Sequence, residues 1–189
     1  MCASSGMRPD LFRGPNSPKD APFLGDNLFM EISGAGPRLI IVCGLPGSGK
    51  TTLAKMIETN LRAIRFCPDD WLDALSINLY DEDMRAKIEA LQWKVAQDLL
   101  VLGLTVIIEW GTWGKSERDT LRLRARAIGA AVELHYLSAP MEVLFDRLQQ
   151  RGRENPPIER DALSRWFEIF QVPKPEEMAL FDKPLITNF

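Results

Sequence analysis

The chain has 189 residues, 46% of them hydrophobic and 26% charged, with a net charge of −3. This is an ordinary globular balance at a length that suits a single domain with a full core. The acidic net charge argues against a protein that binds polyanions over its whole surface, although a local basic groove stays compatible with it. Three cysteines, at 2, 43 and 67, form no C-x-x-C pair, and His135 is the only histidine, which excludes a Cys/His metal site.

Residues 1 to 37 are rich in Gly, Pro, Ser and Asp and carry no sustained periodicity. They predict a flexible or loosely packed extension ahead of a domain over 38–189. The apolar patch Phe23-Leu24 with Leu28-Phe29-Met30 is a candidate docking strand or partner-binding segment. The N-terminus has no basic-then-apolar signal pattern and no apolar run reaches membrane-span length, so a cytoplasmic protein without membrane contact is expected.

Leu39-Ile40-Ile41-Val42-Cys43 is a continuous apolar, β-branched run, the pattern of a strand buried on both faces. Directly after it, Gly44-Leu45-Pro46-Gly47-Ser48-Gly49-Lys50-Thr51-Thr52 reads G-x-x-x-x-G-K-[ST]. Glycines in such a loop let successive backbone N–H groups turn inward around phosphate oxygens. The lysine brings charge to the β- and γ-phosphates, and the Thr51 hydroxyl is placed to ligate Mg²⁺. Leu53, Met56, Ile57 and Leu61 then recur at helical spacing, so a helix points its positive dipole end at the same phosphates.

Ala63–Phe66 predicts a second strand that ends at Cys67-Pro68-Asp69-Asp70. A long helix follows, with Met84, Ile88, Leu91, Val95, Leu99 and Leu102 on one face and Gly103 as its breaker. Thr105–Ile108 predicts a third strand ending at Glu109; Ser116 reads as the N-cap of a helix to about Ile128. Val132–Leu137 predicts a fourth strand, Met141–Gln150 and Ile158–Phe170 two helices, and Leu185–Thr187 a last strand. Strand–helix alternation predicts an α/β fold: a mostly parallel sheet between helices, with ligands outside the carboxyl ends of the strands.

That rule converges the phosphate loop, Asp69/Asp70 and Glu109 on one site. Asp69 is placed to take a proton from a hydroxyl acceptor, with Asp70 as its competitor and N-capping as the alternative for both. Glu109 is a candidate to hold Mg²⁺ through water or to orient the acceptor, and Asp69 is an alternative metal ligand. Trp110 and Trp113 either wall an acceptor pocket or pack. Arg147 and Arg151 are four apart and share a helix face, and Arg153 follows in a loop at about 151–157. Downstream of a phosphate loop these arginines read as a lid that neutralises transferring charge, against the alternative of a simple helix C-terminus. Arg118, Arg122, Arg124 and Arg126 read as a solvated basic face, with a nucleic-acid groove as the sharper alternative.

The chain resembles the P-loop kinases related to the kinase domain of bacteriophage polynucleotide kinase, zeta toxins and chloramphenicol phosphotransferase. The resemblance runs over about residues 38–170, through Gly44–Thr51, Asp69-Asp70-Trp71 and Arg147-Leu148-Gln149-Gln150-Arg151-Gly152. It implies a three-layer P-loop sandwich with strand order 2-3-1-4-5, ATP as the nucleotide, Asp69 as general base, and lid roles for Arg147 and Arg151. Polynucleotide kinase places an arginine three residues after its base, where this chain has Leu72, so the anchor for a polynucleotide is missing. Glu109-Trp110-Gly111-Thr112-Trp113 also departs from that enzyme and looks like a predicted-kinase branch with AAA-like ATP binding.

The sequence therefore reads as an ATP- and Mg²⁺-dependent kinase acting on a small-molecule hydroxyl. A polynucleotide 5′-hydroxyl kinase ranks below it. So do an ATP-binding regulatory protein and a nucleotide hydrolase, and the Asp-x-x-Gly and Asn-Lys-x-Asp motifs of a GTPase do not occur.

Overall fold

The computed structural model describes residues 36–152 and 156–186. The expected N-terminal extension, Arg153 and Thr187 lie outside the described residues, apart from Gly36 and Pro37 at the extension's end. In chain order the elements are β1 (Arg38–Cys43), α1 (Lys50–Leu61), β2 (Ile64–Phe66), α2 (Pro68–Ala74), α3 (Glu82–Val101) and β3 (Thr105–Gly111). There follow α4 (Lys115–Ala127), β4 (Ala131–Tyr136), α5 (Met141–Arg151), α6 (Arg160–Ile169) and α7 (Pro175–Met178).

The strands are parallel and ordered β2-β3-β1-β4. All of β1 is buried, and its alternation divides two cores. Leu39, Ile41 and Cys43 face Trp93, Ala96 and Leu100 of α3 and Leu121 and Ala125 of α4. Ile40 and Val42 face Ala54, Ile57 and Leu61 of α1. The central strand is thus continuous in apolar residues because both of its faces are covered, and each such side chain contributes about 1.5–3 kcal/mol of burial. A third cluster joins Leu45 of the phosphate loop to Leu144 and Leu148 of α5 and Leu163 of α6. Among the described residues no helix is long and apolar enough to cross a membrane.

Three local expectations are corrected. The fourth edge of the sheet is not extended by Leu185–Ile186, which form no strand. The tail instead docks on β4 through side chains. Asp182 exchanges two bonds with Val132 (N to Val132 O, 2.7 Å; Val132 N to Oδ2, 2.6 Å) and the Leu185 N–H donates to buried Glu133 at 3.0 Å. The α4 cap is Gly114, whose N–H donates to Glu117 at 3.2 Å; Ser116 is already inside the helix. The buried face of α3 is Ile88, Gln92, Trp93, Ala96 and Leu100. Leu91 and Leu102, expected on that face, are 52% and 73% exposed.

Candidate functional site

Parallel strands deliver their carboxyl ends to one edge, and every sequence-predicted site residue among the described ones lies there or on the helices above it. After β1 the chain turns through residues 44–49. Gly44 has φ +145°, and a Cβ there would sit 2.3 Å from the Leu137 carbonyl oxygen; at Gly47 (φ +82°) it would sit 2.9 Å from that of Leu144. The loop is wedged between the end of β4 and α5, and both positions require glycine for space as well as for conformation. α1 begins at Lys50, so its unpaired first amides and positive dipole end face into the loop, a ready-made anion site.

The Lys50 ammonium donates to Leu45 O at 3.1 Å. Burial lowers its pKa, while Glu109 and Asp69 pull it back up and Arg151 adds to the lowering. Phosphate oxygens in the loop would add to the counter-charge that Glu109 and Asp69 provide. The Thr51 hydroxyl donates to Glu109 Oε1 at 2.5 Å, and Glu109, 6% exposed, accepts from Arg65 through Oε2 at 2.8 Å. Thr51 with Glu109 behind it is an all-oxygen donor set. Among the described residues no group of three or more His, Cys, Asp or Glu side chains could hold a metal. Oxygen donors such as Thr51 and Glu109 suit a small hard ion such as Mg²⁺, which keeps most of its water and takes few protein ligands.

Asp69 lies in the first turn of α2, just past β2, and its Oδ1 accepts from Arg85 Nη2 of α3 at 2.5 Å. Asp70 pairs with Arg65 instead and does not line the cleft. Leu72 is fully buried. A cleft of about 1660 Å³ runs from the phosphate loop past Asp69 and Glu109 to α3, with Trp110, Trp113, Arg147 and Arg151 also on its walls. Arg147 Nη1 donates to Gly47 O at 3.2 Å. Trp110 both lines the cleft and packs, its indole N–H donating to Gln92 Oε1 at 2.8 Å. Trp113 stacks edge-on against Trp166 and Phe170, with centroids 5.7 and 6.5 Å away.

Arg118 is not part of a solvated face. It is fully buried and paired with Glu177 of α7 at 2.6 and 3.1 Å. The same guanidinium donates to Thr112 O (2.9 Å), Trp113 O (3.1 Å) and Gln171 O (2.8 Å). It therefore fastens the β3–α4 loop, in which Thr112 has φ +44°, to the C-terminal segment. Arg122 bonds Asp119 and Arg126 bonds Asp182, whereas Arg124 lines the cleft.

One wall of the cleft is built by the long helix after Asp70, through side chains not singled out from the sequence. Glu82, Arg85, Ala86, Glu89, Ala90 and Trp93 line it from α3, at spacings of i, i+3, i+4, i+7, i+8 and i+11 that place them on one face. The signal in the sequence is a charged stripe with two alanines where long side chains would fill the space. Burial pushes the Glu89 pKa up to about 7; Arg85 pulls it down, and Glu117 and Asp69 push it further up. A glutamate in an unfolded chain ionises near 4.5. Between those values the folded protein keeps a proton the unfolded chain has released, so Glu89 makes stability fall as pH rises from about 4.5 through about 7. Glu89→Gln removes this slope. Its melting temperature should climb relative to wild type between pH 5 and pH 8, and a pH-independent difference in a thermal-shift series would contradict the assignment.

A family described as an AAA domain matches residues 39–173. Among curated proteins none matches the chain. Solved structures with a similar fold include a gluconokinase from Sinorhizobium meliloti (22% identity, TM-score 0.52, covering 74% of this chain and 78% of that one). The Pnkp1/Rnl/Hen1 RNA repair complex is similar at 22% identity and TM-score 0.60, over 78% of this chain and 47% of that one. Kti12 of Chaetomium thermophilum, in complex with ADP-AlF3, is similar at 22% identity and TM-score 0.54, over 73% and 82%. At these identities the likeness establishes the fold.

Proposed function

From the premise that the chain belongs to the AAA domain family, whose match spans residues 39–173, we propose that it is an ATP- and Mg²⁺-dependent kinase that phosphorylates a hydroxyl of a small molecule. The observation that carries this reading is the placement of Asp69 on the same cleft as the phosphate-loop lysine, Lys50, near enough to raise its proton affinity. Transfer to a hydroxyl calls for a carboxylate at that place to take up the acceptor's proton.

In this reading the amides of residues 44–52, Lys50 and the α1 terminus hold the β- and γ-phosphates. The acceptor oxygen forms the new bond to the γ-phosphorus as its proton passes to Asp69. The bond from that phosphorus to the bridging oxygen breaks, and the electron pair leaves with ADP. Arg147 and Arg151 neutralise charge on the moving group, and Arg153 is their candidate third member. Thr51, with Glu109 through water, would hold Mg²⁺, which supplies charge neutralisation on the β- and γ-oxygens when bound.

Proteins of similar fold include both a gluconokinase and an RNA repair complex. The small-molecule reading rests on the buried Leu72, which leaves no arginine one turn after Asp69, and on a cleft walled by α3 and the Trp113 loop. The test is ADP formation from ATP and Mg²⁺ across a panel of hydroxyl compounds, with the phosphorylated product identified by mass. Acceptor-dependent ADP with a matching phosphomonoester is the expected result. Tight nucleotide binding with no consumption across the panel would instead favour a regulatory nucleotide-binding protein.

A further inference from the structure

We propose that Arg65 is a positioning residue for the metal: its guanidinium sets the Glu109 carboxylate against Thr51, and metal affinity depends on that setting. This inference rests on the reading above, in which Thr51 and Glu109 hold Mg²⁺.

Arg65 is the middle residue of the short strand Ile64–Phe66 and pairs in register with Ile107 of β3. Residues in register on parallel strands point to the same side of the sheet, and so do residues two apart along one strand. Ile107 belongs to the core that Ala54, Ile57 and Leu61 of α1 complete. Arg65 and Glu109 therefore both emerge on the α1 side. Thr51 and Glu58 stand seven residues apart on α1, two turns along one face. The fold thus brings Arg65, Glu109, Thr51 and Glu58 to one place, at the carboxyl end of β3.

The bonds among them are directional. Arg65 donates from Nη1 to Glu109 Oε2 at 2.8 Å, from Nη2 to Asp70 of α2, and from Nε to Glu58 at 3.4 Å. Its side chain is 9% exposed. Three acids from α1, α2 and β3 fix a planar fork that presents one donor to each of them. Glu109 has its other oxygen, Oε1, on the Thr51 hydroxyl at 2.5 Å. The terminal torsion of a glutamate is soft, so the backbone of β3 alone does not decide where Oε1 stands. The bond from Arg65 to Oε2 does.

Arg65 does not line the cleft. It acts through Glu109 rather than on nucleotide or acceptor. Its charge, taken alone, repels a metal ion. A loss of metal affinity when Arg65 is removed therefore reports the orientation of the carboxylate and not the loss of a charge. Groups that hold a metal ligand from behind are worth about 10–100-fold in metal affinity.

The experiment measures ADP affinity by calorimetric titration, once with Mn²⁺ and once in EDTA, for wild type, Arg65→Met, Arg65→Lys and Glu109→Gln. Mn²⁺ stands in for Mg²⁺, since both suit oxygen donors. The affinity of Mn²⁺ for free ADP is common to all four proteins. A change in the ratio of the two ADP affinities is therefore a change in the metal affinity of the protein–ADP complex. The expected result is a fall of about 10–100-fold in that ratio for Arg65→Met. Glu109→Gln should show a fall of similar size, and Arg65→Lys, which keeps one donor but not the fork, a partial recovery. Affinity in EDTA should stay near wild type throughout, which also shows that the loop is folded. A ratio that Arg65→Met leaves unchanged or raises, while Glu109→Gln lowers it, overturns the proposal and leaves the metal role of Glu109 intact. So does a loss that falls on the EDTA affinity alone, the mark of a purely structural residue. A ratio unchanged in both variants removes Glu109 from the metal and the proposal with it. Where Arg65→Met does not fold, Arg65→Lys decides, and a wild-type ratio in it overturns the proposal. The kinase reading is decided separately, by the acceptor panel.

Discussion

Asp69→Asn is expected to lower kcat for acceptor phosphorylation by about 10²–10⁴-fold, the range of a general base, while nucleotide affinity stays near that of wild type. The asparagine keeps the shape of the side chain, and its oxygen can still accept from Arg85, so the position of α3 against α2 is retained. What it cannot do is take up the acceptor's proton. The Asp69 side chain is 37% exposed and bonded to Arg85, so the isosteric amide is expected to leave the fold intact. The measurement is steady-state transfer beside a separate nucleotide titration. A variant with wild-type kcat removes Asp69 from the base role. A variant that loses nucleotide binding together with turnover reassigns it to the nucleotide side of the cleft.

Arg118→Met is expected to be the most damaging single change to stability. Breaking a buried ion pair from one side costs about 3–5 kcal/mol, because the remaining charge is left without a partner. Here that charge is Glu177, 4% exposed, and the carbonyls of Thr112, Trp113 and Gln171 lose their donor at the same time. For a chain of this size the loss corresponds to a fall in melting temperature of about 10 °C. The double change Arg118→Met with Glu177→Leu should recover part of that loss, since an apolar pair of similar volume replaces a buried ion pair at little or no net cost. Thermal unfolding of wild type, the single variant and the double variant settles the matter. A single variant that melts with wild type would mean that the cluster contributes nothing to the fold.

What could be read in advance follows the range of the interaction. The phosphate loop is legible because its chemistry is local: strand, glycines, lysine and helix are consecutive in the chain. The parallel sheet is legible because continuous apolar runs such as 39–43 are intelligible only when covered on both faces. Asp69 and Glu109 were placed by a topological rule, as strand ends in a parallel sheet converge. Arg118 was misread because its partners are 59, 53 and 5–6 residues away, and a helical arginine beside others at 122, 124 and 126 has the pattern of a wet face. The orientation of α3 was misread for a related reason. Large apolar side chains pointed to Leu91 and Leu102, but the sheet side takes up Gln92, whose Oε1 accepts from Trp110, together with small Ala96. That rotation is also what turns Arg85 and Glu89 toward the cleft. The charge on a helix face says nothing about whether water or a substrate lies opposite it until the neighbouring elements are placed. The tail's docking through Asp182 and Glu133 likewise depends on side chains reaching across to backbone, which no strand periodicity announces.

The hydrogen bonds of the phosphate loop carry one more consequence. Lys50 and Arg147 both donate to carbonyls of the loop itself, those of Leu45 and Gly47. Each of these bonds uses one of the several N–H donors on its cation, so the loop fixes both side chains and leaves donors for a phosphate. A loop that holds Lys50 and Arg147 by its own carbonyls has met part of the ordering cost of an anion site before any anion arrives.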